Sequence, residues 1–236
     1  MASLIAAGCA FLGIHLLVSG TRLRDRIVSA IGESAYLGLF SLGSLGVLLW
    51  LVLSYNRARV GGADPIFYVE PNVVRDLALP IVALAFLLAI PGLMLPNPTS
   101  LRQEAVATRD DAVRGVLRIT RHPFLWGVAL WAAIHLAANG DEASIIFFGS
   151  FFLVAALGPF SIDAKRKWKM GQDWSSFAAR TSNLPFAAIV AGRSNLSFSE
   201  LFDWRLLVAA LAFLVLLFAH ARLFGVSPFP GGWIPV

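Results

Sequence analysis

Cysteine is almost missing: Cys9 is the only one in 236 residues. No internal disulfide can form, and neither a multi-cysteine metal site nor a covalently attached c-type haem is available. Charge is scarce too, at 14% of residues against roughly 25% in a soluble domain. There is no P-loop, no dinucleotide-binding glycine fingerprint, no HExxH and no serine nucleophile elbow. Phosphate transfer, nicotinamide chemistry, zinc proteolysis and serine hydrolysis therefore have no local signature. What fills the chain instead is apolar: 58% of residues are hydrophobic, more than one soluble core can hide. The net charge of +5 would suggest nucleic acid in a soluble protein. Here the cations sit beside apolar runs, where they set topology and meet anionic lipid, so no nucleic-acid partner is expected.

Six apolar runs predict six membrane spans, at about 3–20, 35–54, 77–95, 123–139, 144–161 and 204–221. Each is near the ~20 residues a bilayer requires. The expected fold is all-α: one polytopic membrane helical bundle over residues 1–236, with cytoplasmic interfacial helices between spans. Cys9 follows Ala6-Ala7-Gly8, faintly like a lipoprotein cleavage site. The apolar run continues past it to Gly20, which reads as a retained first span. Pro80 and Pro91 invite a kink or a late start in the third span. Gly38, Gly43 and Gly46 would let a neighbour approach the second, leaving a homo-oligomer open.

Loops one, three and five carry fourteen cations, against four on the opposite side (Arg57, Arg59, Arg75 and Arg222). The positive-inside rule then places those loops in the cytoplasm and both termini outside; the expected location is a bacterial inner membrane, crossed several times, with both termini periplasmic. Two cytoplasmic segments look ordered. In 98–120, apolar residues recur with partly helical spacing. In 163–183, Trp168, Trp174 and Phe177 alternate with cations, as in a helix lying on the membrane surface.

Chemistry concentrates in Arg118 to Asp141, which reads RITRHPFLWGVALWAAIHLAANGD. Pro123 suits the first turn of a helix, and Asn139-Gly140-Asp141 signals a turn. An imidazole inside an apolar span is costly, so His15 and His135 are site candidates by default. His122 lies at the span's polar edge, where a structural hydrogen bond is equally expected, and His220 reads as interfacial beside Arg222. Arg118 and Arg121 could fork onto carboxylates or simply anchor the loop.

TRHPFLWG at 120–127, LWAAIHLAANGD at 130–141, HARLFGVSP at 220–228 and GIHLLVSG at 13–20 resemble the NnrU family of membrane proteins, over nearly the whole chain. That family includes the 15-cis-zeta-carotene isomerases. The resemblance implies an integral membrane protein. Its isomerase branch implies haem b held by histidines and acting on a polyene, and its bacterial branch implies a link to denitrification and nitric oxide. Carried over residue by residue, it places axial ligands at His15 and His135 and a further shared histidine at His122; were haem bound, the Arg118 and Arg121 forks could pair with its propionates, with loop anchoring equally open. The isomerase pattern has a cysteine three residues before the second ligand; here that position is Ala132, so a His/Cys ligand exchange is not available. On straight helices, His15 lies ~10 Å and His135 ~21 Å from the cytoplasmic edge. The pairs His135 with His220, and His15 with His122, agree better in depth.

Arg121-His122-Pro123 followed by Asp163 to Pro185 is similar, more distantly, to isoprenylcysteine methyltransferase-like membrane proteins. There an RHP motif and an acidic pair serve S-adenosylmethionine. Here Ile162 replaces half of that pair. The expected function is thus a haem-b isomerase-like or nitric-oxide-related redox protein with a hydrophobic or small-molecule substrate. The alternatives are a cofactor-free assembly or transport factor and, third, a membrane methyltransferase.

Overall fold

The computed structural model describes residues 1–61 and 64–229. Among the described residues the regular structure is helical, with an isolated bridge between Ile66 and Asp141. The chain divides into two compact units: Met1–Pro71 with Ala132–Ser161, and Asn72–Trp131 with Ile162–Val236.

In the first unit, α1 (Ala2–Leu12) passes into a π-helical segment, Gly13–Val18. The Ser19 N–H reaches back five residues to the Ile14 carbonyl at 3.0 Å. Thr21 closes this arm by donating to the Leu17 carbonyl at 2.6 Å and starts α2 (Leu23–Ile31) by accepting from the Leu23 N–H. The arm and α2 meet at 78°. Gly32, at φ +83°, takes a backbone conformation that suits glycine and turns the chain into α3 (Glu33–Val60). Glu33 in the first turn of α3, and Arg57 and Arg59 in the last, complement its dipole. α1 meets α3 through Ser3, whose hydroxyl bonds Ser54 at 2.9 Å and accepts from the Trp50 indole at 3.0 Å. α1 meets the start of α6 (Glu142–Met170) at Gly8, where a Cβ would lie 2.9 Å from Ser150 Oγ.

In the second unit, α4 (Asn72–Met94) runs on through Pro80 and Pro91. The first turns of α5 (Pro123–Ala138) press against it. A Cβ on Gly92 would meet Pro123 at 2.6 Å, and one on Gly127 would meet the Ala85 carbonyl at 2.6 Å. On another side α4 packs against α10 (Trp204–Phe224), with Phe86 edge-on to Phe213. Asp203 caps α10 by accepting from the Arg205 N–H, and Gly225 ends it at φ +74°. Between α4 and α5 lie two 3₁₀ turns, Glu104–Thr108 and Gly115–Arg118. The short helices α7 (Gln172–Ala179), α8 (Ala187–Val190) and α9 (Phe198–Leu201) complete the unit.

The fold is an all-α membrane bundle with fewer spans than the six expected. Four helices (α3, α4, α6 and α10) are long and apolar enough to cross a bilayer, and the bent arm with α2 makes a fifth if counted as one span. The fourth expected span falls short: α5 has 16 residues, about 24 Å against a hydrocarbon core of about 30 Å. The first is broken by its π turn and bend. Two further expectations change. The glycines at 38, 43 and 46 have nothing within 4 Å of where a Cβ would stand. The segment 163–183 does not lie on the membrane as one helix: α6 continues to Met170, and Trp174 and Phe177 bury in a cluster with Ala107, Ala112 and Val113. Trp168 remains exposed.

Candidate functional site

The five candidate residues fall into two places. His15 and His135 belong to the first unit; Arg118, Arg121 and His122 belong to the second.

His15 sits in the middle of the π segment. Such segments are often retained where a side chain must be aimed, because they widen the helix locally. Its Nδ1 donates to the Phe11 carbonyl at 2.9 Å. That bond fixes the tautomer and leaves Nε2 as the nitrogen able to bind a metal, the usual arrangement behind a ligating imidazole. Phe11 lies 4.4 Å from the ring and Phe40 5.9 Å, so the surroundings are apolar. Phe40, with Ile14 and Val18 of the same π segment, walls an open groove of about 210 Å³ completed by α2 and by Leu39 and Gly43. The hydroxyls of Tyr36 and Ser44, also on its wall, are buried, so its surface is effectively hydrocarbon.

His135 packs against Phe148 at 4.8 Å, and its carbonyl accepts from the Asn139 side chain at 2.8 Å. α1 and α6 run the same way, since Gly8 meets Ser150, Phe11 meets Phe151, and the Gly20 carbonyl accepts from Ser161. Three residues from Phe148 to Phe151 and four from Phe11 to His15 put the two histidine backbones about 10 Å apart in depth. The His15 imidazole, with Nε2 left for a metal, fits one axial position, and His135 lies farther along the bundle.

In the second unit, Arg121 and His122 converge on Asp163, 42 and 41 residues away in the chain. The Arg121 guanidinium forks onto the carboxylate with contacts from 2.9 to 3.1 Å, donates to Thr181 at 3.2 Å and lies over Trp174. His122 Nε2 donates to Asp163 Oδ1 at 2.7 Å, and the Asn183 amide to Oδ2 at 3.1 Å. The Arg121 carbonyl accepts from Asn97 at 2.9 Å and from Thr99 at 3.3 Å. His122 is buried, and burial holds its pKa below the ordinary value, with Asp163 opposing and Arg121 adding to the fall. The ring is thus neutral, its proton on Nε2. Arg118 is engaged elsewhere: its fork meets Glu200 at 2.7 Å on both arms, and Glu200 also accepts from the Gly115 N–H. Glu200 is accordingly held below the usual carboxylate range, first by Arg118.

Asp163, Asn183, Thr181 and Glu200 were not among the sequence candidates. The RHP likeness pointed at Asp163; nothing local marks the others, which act through contacts 20 to 85 residues distant.

The family model described as NnrU protein matches residues 3–228. The chloroplastic 15-cis-zeta-carotene isomerase of Arabidopsis thaliana is 33% identical over 181 residues, 74% of this chain and 47% of that protein. The chloroplastic enzyme of the same name from Zea mays is 32% identical over 82 residues, 35% of this chain and 22% of that protein. The chain thus matches about half or less of the length of these relatives. No solved structure matches it.

Proposed function

The chain belongs to the NnrU family, and on that premise we propose that it is an isomerase-like membrane protein that binds haem b through His15 and takes an apolar polyene as substrate. The observation that carries this reading is the His15 imidazole, with Nε2 left for a metal, on a π segment whose neighbouring side chains wall a hydrocarbon groove. The Arabidopsis relative's name, 15-cis-zeta-carotene isomerase, supplies the reaction class. Haem b, when bound, supplies an iron that shifts electron density at a double bond and so lowers the barrier to its rotation.

This chain's own residues do the rest. The Phe11 carbonyl holds the His15 proton on Nδ1 and makes Nε2 a better donor. Ile14, Val18, Leu39 and Phe40 exclude water and receive a hydrocarbon end; a groove of about 210 Å³ takes one ring or a few chain carbons, with the remainder lying in lipid. His135 packs against Phe148, and its part in holding haem is read from the effect of His135→Ala below.

The test is spectroscopic. Protein purified in detergent after haem-supplemented expression is expected to carry a Soret band that His15→Ala abolishes and His135→Ala leaves largely in place. Protein that stays colourless, or a band indifferent to His15→Ala, would overturn the assignment.

A further inference from the structure

α5 cannot have both ends outside the hydrocarbon, since its 16 residues span about 24 Å. One end opens beside Arg121. The other is the polar turn Asn139-Gly140-Asp141, whose backbone groups would be costly in lipid unless paired. They are paired by one strap, residues 64–69. The Phe67 N–H donates to the Gly140 carbonyl at 2.8 Å, and the Glu142 N–H donates back to the Pro65 carbonyl at 2.9 Å. Asp64 accepts from the Ala143 N–H at 3.0 Å. The Tyr68 hydroxyl reaches the Leu136 and Asn139 carbonyls. The fit is tight enough that a Cβ on Gly140 would lie 1.9 Å from the Tyr68 carbonyl oxygen.

The strap's inner side is thus polar and matched. Its outer side is the reverse: Ile66, Phe67 and Val69 are 72%, 67% and 78% exposed. Large apolar side chains facing outward from a loop whose Asp64 carboxylate, Pro65 carbonyl, Phe67 N–H and Tyr68 hydroxyl turn toward the α5–α6 turn are unfavourable in water and suited to acyl chains. α3, which precedes the strap in the chain, also exposes Leu49, Leu53 and Val60, and carries Arg57 and Arg59 in its last turn, as a helix end at the headgroup level does.

We infer that strap 64–69 is inserted into the bilayer at the boundary of headgroups and acyl chains, with Ile66, Phe67 and Val69 in lipid, so that the α5–α6 turn is sealed below the membrane surface. The occupant of this face is lipid, and the inference does not depend on haem or substrate.

The experiment uses the full chain with Cys9→Ala as background, reconstituted in vesicles of phosphatidylcholine and phosphatidylglycerol. A nitroxide is attached at Phe67→Cys and, independently, at Val69→Cys. Collision with oxygen, which concentrates in acyl chains, is compared with collision with a water-soluble nickel chelate. Asp110→Cys, in an exposed loop, is the aqueous reference. The expected result is an oxygen-over-nickel ratio several-fold higher at both strap positions than at Asp110. A ratio equal to the reference means that the strap faces water and overturns the inference. Exclusion of both probes means that protein covers the strap, and overturns it as well.

Discussion

Asp163 is the residue on which most of the second unit's polar contacts converge. Its two oxygens receive Arg121, His122 and Asn183, and its side chain is 18% exposed. Asparagine there would keep one acceptor oxygen but lose the charge facing Arg121 and turn an amide N–H toward groups that themselves donate, in a site that water barely reaches. The expected cost of Asp163→Asn is about 3–5 kcal/mol, the range for breaking a buried pair from one side. Thermal unfolding in detergent measures it, and Arg118→Lys, at a more exposed pair, is expected to cost far less. The sequence flagged Arg121 and His122 because charge beside an apolar run is conspicuous. It could not say that they share a carboxylate, because that depends on how α6 returns past the start of α5. His15 is conspicuous in the sequence for a different reason: an imidazole among leucines needs an explanation whatever the fold.

Helix contacts in this chain are set by small residues, and the apolar pattern does not reveal which of them matter. Gly127 lies against the backbone of α4, with a prospective Cβ 2.6 Å from the Ala85 carbonyl, whereas Gly43 on α3 meets nothing within 4 Å. Gly127→Ala is expected to cost about 1–3 kcal/mol through overpacking. Gly43→Ala should be neutral or stabilising by up to about 1 kcal/mol, because alanine favours the helix and nothing obstructs it. Melting temperatures of the two variants test the contrast; equal losses would mean that the α4–α5 contact is not as close as described. The glycine spacing on α3 looked like a packing face in the sequence, and α3 is the helix on which that face is open. Span counting erred for a related reason. Apolar length predicts which segments avoid water, but a π turn, a 78° bend or an early stop at Asn139 depends on partners far along the chain.

Across the molecule, acid is the weak side. Glu104, despite burial that raises it, is held at about 2 by Lys169, its own backbone and Arg166. Its folded value is depressed, so its contribution is present above the ordinary value of 4.5 and lost as pH falls toward 2. His122 acts at higher pH. The unfolded chain protonates near 6.5 while the folded site stays neutral, so stability falls below that pH by up to about 1.4 kcal/mol per unit until the folded ring titrates. Melting temperature followed downward from pH 7 should begin to drop below 6.5, and His122→Gln should remove that first drop. A flat profile in the parent protein would contradict the buried neutral ring.

The strap and its turn carry a message for comparative work. Tyr68 and Gly140 stand 72 positions apart, yet the space for a side chain at one is filled by the backbone of the other. A relative that carries alanine or anything larger at the position of Gly140 must have rerouted the stretch around Tyr68. The two sites should therefore drift as a linked pair during divergence, and a homologue that breaks the pairing marks a lineage in which this edge has been remade.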